Sequence, residues 1–234
     1  MIDIQEPQYR RFKLRDIIFA FLFFTWSQIA LVCINTIAHP QSGSDLQNIT
    51  SDTKTIALSI FIIGNIILLW RTYIILKKSI DRDEDIAPPI KAKQFGAICG
   101  VALSMLITTA VFNSLINPGS SENQTLLNEI FKSTPILMTL QIILIAPICE
   151  EMCFRYFLLK PGRLWFARFI ISGMLFIAVH LTSADTIADI LAYTVPVLFL
   201  HGMRYITGSV RYSLLLHMLY NGIVAINMVA TLYK

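Results

Sequence analysis

Residues 135–159 read PILMTLQIILIAPICEEMCFRYFLL, an apolar run long enough to cross a bilayer that nevertheless carries Glu150, Glu151 and Arg155. A charged side chain at the bilayer centre costs roughly 2.5–3.5 kcal/mol on insertion scales, so three of them this close together must face a polar cavity or one another. The run therefore marks a membrane helix and, by default, a functional site.

The rest of the chain agrees. Of 234 residues, 55% are hydrophobic and 15% charged, and the mean hydropathy is +0.63; soluble domains carry about 25% charged residues. Apolar stretches near Ile17–Ala38, Thr55–Leu76, Phe95–Ile116, Pro135–Leu159, Trp165–Leu181, Thr186–Met203 and Tyr212–Leu232 predict an all-α, polytopic bundle of about seven spanning helices. Arg168, Asp185 and Asp189 shorten the fifth and sixth windows, so a broken or tilted helix is expected there. The first run is too long for a signal-peptide core and no small-x-small cleavage site follows it, so it reads as a retained helix.

Basic residues fall in alternate loops: Arg10, Arg11, Lys13 and Arg15, then Arg71 to Lys93, then Lys160, Arg163 and Arg168, then Arg204 and Arg211. The opposite loops hold little beyond Lys54 and Lys132, which puts the N-terminus in the cytoplasm and the C-terminus outside. The net charge of +4 is thus a topology signal, and its spread over loops gives no case for nucleic-acid binding. The inner loop SIDRDEDIAPPIKAK, residues 79–93, mixes both signs around a Pro-Pro break and reads as a solvated connector. On the outer side, Asn48-Ile-Thr50 is a weak glycosylation sequon. Cys33, Cys99, Cys149 and Cys153 all lie in apolar runs, where a free thiol packs as a small apolar group and a disulfide framework is not expected.

Residues four apart share a helix face, so Glu151 and Arg155 are placed to pair while Glu150, about 100° round, points elsewhere and is free to react. Phe176 and His180 repeat that spacing, as do His217 and Asn221. Counted from Lys160, Arg168 and Arg211, Glu150, His180 and Asn221 lie roughly 15–18 Å from the cytoplasmic ends and His217 about 9 Å, at about 1.5 Å per residue. All four can converge at one depth, in a site expected to open toward the cytoplasm. A carboxylate beside a histidine can hold a water and take its proton. An imidazole and an amide on one face can donate to an oxyanion.

The motifs EEMCFR (Glu150–Arg155), FIAVH (Phe176–His180) and HMLYN (His217–Asn221) resemble EExxxR, FxxxH and HxxxN of the CAAX protease and bacteriocin-processing (CPBP/Abi) family of intramembrane proteases. Each is short, but all three occur in order on separate expected spans, covering roughly residues 135–230. The resemblance implies a glutamate-dependent endopeptidase in which Glu150 activates water and His180 orients it. It makes His217 and Asn221 the oxyanion hole, with Glu151 and Arg155 holding the helix and Phe176 walling the site. Thr207-Gly208-Ser209 resembles the family's short turn. Residues 1–132 then form a three-helix region without a motif, and residues 133–234 the catalytic core of one integrated bundle.

The implied partners are the bilayer and a membrane-associated peptide or protein cut near the cytoplasmic leaflet, with no cofactor. Short loops look like those of a bacterial plasma-membrane member, which points to bacteriocin self-immunity or signalling-peptide maturation rather than prenylated tails. The alternative is a scaffold that regulates a partner membrane protein without cleaving it. A proton-coupled transporter would call for internal repeats, and none is found. A zinc site at Glu150, His180 and His217 is a minority mechanism, since two histidines and a carboxylate are a recognised ligand set but no HExxH is present. His39 and His201 read as interhelical tethers.

Overall fold

A computed structural model describes residues 13–38, 50–81, 87–116, 122–160, 164–181 and 186–232. His39, Asn48 of the sequon and Asp185 lie outside the described residues. Every regular element among those described is a helix: α1 (Leu14–Ala38), α2 (Ser51–Asp81), α3 (Ala92–Ile116), α4 (Glu122–Ser133), α5 (Pro135–Leu158), α6 (Trp165–Ala178), α7 (Ile187–Thr207) and α8 (Val210–Leu232). Six of these are long and apolar enough to cross a membrane, which makes the chain a multi-pass membrane protein.

The fifth expected span, Trp165–Leu181, is the short one, in keeping with its interrupted window. α6 has 14 residues, about 21 Å of helix against a hydrocarbon core of about 30 Å, so it is too short to cross alone. Its last turn tightens at Val179 and His180, where the His180 N–H donates to the Ile177 carbonyl at 2.9 Å. The sixth span is full length. Asp189 does not interrupt α7 but caps it: its carboxylate accepts from the Thr186 N–H at 2.7 Å, and the Thr186 hydroxyl accepts in return from the Asp189 N–H at 3.4 Å. Gly208, at φ 65°, supplies the left-handed residue that ends α7 and lets α8 begin two residues later.

α5 is the axis of the bundle and its most buried span. It is not a uniform α-helix, for it widens into π turns at Gln141–Ile145 and Glu151–Leu158. Pro147 accounts for the first: in α register its ring would clash with the carbonyl four residues back. The wider turn relieves the clash, and the Ala146 N–H donates five residues back to the Gln141 carbonyl. Within the second, the Phe154 carbonyl takes the Leu159 N–H at 3.0 Å and the Ser172 hydroxyl of α6 at 2.7 Å, which holds α6 against α5. Phe23, Phe154 and Phe157 belong to one buried cluster between α1 and α5; Ile98, Met105, Leu200 and Leu216 form a second where α3, α7 and α8 meet.

The basic residues that set the topology also lock the bundle. Lys160 Nζ sits 2.6 Å from the Asp16 carboxylate, tying the end of α5 to the start of α1. Arg168 donates to the Lys160 carbonyl at 3.1 Å, and Arg204 to the Arg155 carbonyl at 3.4 Å. Arg211 and the Tyr212 hydroxyl donate to the carbonyls of Ala87 and Pro88 at 2.9 and 3.2 Å. The C-terminal part of the inner loop is therefore docked on α8 rather than only solvated.

α1 and α2 meet where Gly64 lies under the Trp26 indole, whose N–H donates to Asn65 Oδ1 at 2.9 Å. A Cβ at Gly64 would overlap that ring. Gly64→Ala is expected to destabilise the protein by about 1–3 kcal/mol through overpacking, read as a lower Tm by tryptophan fluorescence in detergent. An unchanged Tm would mean that the two helices part for a methyl group at no cost.

Candidate active site

Glu150 and Glu151 sit at the boundary between the α and π portions of α5, and their side chains part as expected. Glu151 and Arg155 are both fully buried and pair at 3.3 Å. The Arg155 guanidinium lies over the Phe176 ring, 4.2 Å from its centroid, a second source of compensation for a buried cation. The same Glu151 oxygen lies 2.9 Å from His217 Nδ1. One carboxylate thus links α5 to α8 and balances Arg155.

Glu150 faces the other way, between two imidazoles. Its Oε1 is 3.7 Å from His180 Nε2 and its Oε2 is 3.7 Å from His217 Nε2. Each separation is too long for a direct hydrogen bond and suits a shared water. The far side of each ring fixes its tautomer. His180 Nδ1 lies 2.7 Å from the Phe176 carbonyl, which can only accept, so that nitrogen carries the hydrogen. His217 Nδ1 carries one likewise, toward the Glu151 carboxylate. Both Nε2 atoms are left to the chemistry around Glu150.

Phe176 is buried between the two histidines, its ring centroid 4.5 Å from that of His180 and 6.4 Å from that of His217. The site thus brings together Glu150, Glu151, Arg155, Phe176, His180 and His217. Asn221 is one helical turn along α8 from His217, but its amide donates at 2.9 Å to the Ile142 carbonyl of α5. His201 is buried edge-on against Phe169, apart from this cavity. Cys149 and Cys153 are free and buried beside the glutamates. No group of three or more His, Cys, Asp or Glu among the described residues has the arrangement that holds a metal ion.

A cavity of about 310 Å³ starts at Glu150, His180 and His217. It runs past Tyr193, Tyr220 and Asn221 to Met138, Leu127 and Met228, toward the end of the bundle opposite Lys160. On the Lys160 side, Phe154, Arg155 and Phe157 are buried and the Asp16–Lys160 pair closes the interface. The open volume lies on the side of the glutamates away from Lys160, because the Lys160 side is filled; with Lys160 at the cytoplasmic end that the basic residues predict, this is opposite to the opening expected from the sequence. Tyr193, whose ring lies 5.3 Å from that of His180, and Gln141 line this space without belonging to any motif. A polar tip within an apolar run was their only signal.

Residues 132–223, which hold every one of these motif side chains, match the family model described as type II CAAX prenyl endopeptidase Rce1-like. A protein of Mycoplasma capricolum subsp. capricolum, described only as uncharacterized, is 29% identical over 166 residues, covering 68% of this chain and 49% of that protein. The chain thus spans about half the length of that relative. No solved structure matches.

Proposed function

Because residues 132–223 belong to the CAAX-protease family, we propose that this membrane protein is an intramembrane endopeptidase that cleaves a membrane-associated peptide by glutamate-activated water attack. The observation that carries the reading is the placing of Glu150, with one oxygen 3.7 Å from each of two histidine Nε2 atoms. A water between Glu150 and His180 gives one hydrogen to the carboxylate and one to the Nε2 lone pair, which leaves its own lone pair aimed at a peptide carbonyl.

As the water oxygen bonds to the carbonyl carbon, Glu150 takes its proton and the carbonyl oxygen becomes an oxyanion. The second amide hydrogen of Asn221 donates to that oxyanion, as does His217 Nε2 when both of its ring nitrogens carry hydrogen. The C–N bond then breaks, and the Glu150 acid returns its proton to the departing amine. The enzyme forms no covalent bond to its substrate. The largely apolar far wall of the cavity, with Leu127, Met138 and Met228, suits an apolar stretch of a precursor peptide in a bacterial plasma membrane. Peptide maturation or bacteriocin self-immunity is the physiological role this reading favours.

The test is cleavage of co-expressed membrane-peptide precursors by wild type and His180→Ala, each with and without phenanthroline. A fall of about 10²-fold or more in the variant, with wild type indifferent to chelator, is the expected result. Full activity in His180→Ala would remove the water-orienting role. Loss of wild-type cleavage with chelator would replace the mechanism with zinc held by Glu150, His180 and His217.

A further inference from the structure

We infer that Asn221 is a positioning residue that supplies the hydrogen bond Pro147 withholds from α5, and so holds Glu150 in register with the histidines. The inference rests on the protease reading above and adds a partner and a second role for one of its residues.

The argument begins with the Ile142 carbonyl. In an α-helix it would accept from the Ala146 N–H, four residues on. That N–H instead donates to the Gln141 carbonyl. In π register its partner would be residue 147, five residues on. That residue is Pro147, which has no N–H. The local backbone therefore leaves the Ile142 carbonyl without a donor in either register. A part-buried carbonyl of this kind costs up to about 1–3 kcal/mol unless something reaches it, and lipid has nothing to offer. Asn221 Nδ2 does reach it, at 2.9 Å, from α8.

The position of this bond gives it a function. Two hydrogen bonds that join α5 and α8, Glu151 to His217 and Ile142 to Asn221, bracket Glu150, which lies between Ile142 and Glu151 along the chain. One contact leaves α5 free to turn about it; two fix the rotation that points Glu150 at both Nε2 atoms. An amide carries two hydrogens, so the one on Ile142 leaves the other for the oxyanion.

A double-mutant cycle separates the roles. Pro147→Ala restores a donor to the Ile142 carbonyl in either register, from Ala146 in α or from the new N–H at 147 in π. Asn221→Ala alone is expected to lower kcat about 10- to 100-fold with KM little changed, and to lower Tm. In the Pro147→Ala background the loss of the oxyanion donor remains, so the same substitution should still lower kcat but by a clearly smaller factor, and its effect on Tm should largely vanish. His217→Gln should lose as much activity in one background as in the other, since it acts on the reaction itself.

An equal kcat loss from Asn221→Ala in both backgrounds would overturn the inference and leave Asn221 as an oxyanion donor only. If Asn221→Ala fails to accumulate, recovery of folded protein in the Pro147→Ala background supports the tether, and failure in both overturns it. Failure of the protease reading looks different: Glu150→Gln would then cleave as wild type does, while the coupling of positions 147 and 221 in Tm would stand.

Discussion

Glu150→Gln is expected to reduce peptide cleavage by about 10³-fold or more and to leave Tm within a degree or two of wild type. Glutamine keeps the shape of the side chain and loses only the ability to take a proton, which general-base catalysis values at about 10²–10⁴-fold. The contacts that Glu151 makes with Arg155 and with His217 Nδ1 do not use the Glu150 carboxylate and are left intact. Single-turnover cleavage and thermal unfolding of the same preparation check both halves. Activity within tenfold of wild type would show that another group is the base. A strain carrying Glu150→Gln with its full phenotype would favour the scaffold over the protease.

Arg155→Met is expected to act on the fold first. Its removal leaves the fully buried Glu151 carboxylate with only His217 to balance it. Breaking one partner of such a pair costs about 3–5 kcal/mol, which for a chain of this size lowers Tm by about 6–20 °C. The double variant Arg155→Met, Glu151→Gln should recover much of that stability, because no isolated charge remains. It should not recover cleavage, because His217 loses the carboxylate that holds its Nδ1 and orients its ring. Activity returning together with stability would reduce Glu151 to a purely structural part.

These two predictions rest on residues that were legible in the sequence, for a physical reason. Hydrocarbon tolerates few charges, so Glu150, Glu151 and Arg155 stand out against an apolar run, and the fourfold spacing sorts them onto different faces. Other features leave weaker traces. Fourfold spacing hardly distinguishes an α turn from a π turn, so Pro147 announced an irregular helix without saying which carbonyl would be orphaned or that Asn221 would serve it. Asp189 counted as a charge within a span, although Thr186-Ile-Ala-Asp189 carries the capping-box spacing that makes it a start signal. The end of α6 at Ala178 follows no Gly or Pro, so the apolar run could not reveal where the helix stops. The direction of the cavity depends on how Phe154, Phe157 and the Asp16–Lys160 pair fill one side, which only tertiary packing decides.

The early end of α6 bears on how water would reach the proposed site. From Val179 to Thr186 the chain is not in a regular helix wherever it is described, and it follows a helix only about 21 Å long. Backbone of that kind at membrane depth survives only where it is buried in protein or meets an aqueous recess, since acyl chains offer no hydrogen bonds. His180 sits on this turn and shares the cavity of Glu150. On the protease reading, the short helix thins the hydrophobic barrier beside Glu150, so that a hydrolytic centre embedded in oil would stay within reach of the solvent it consumes.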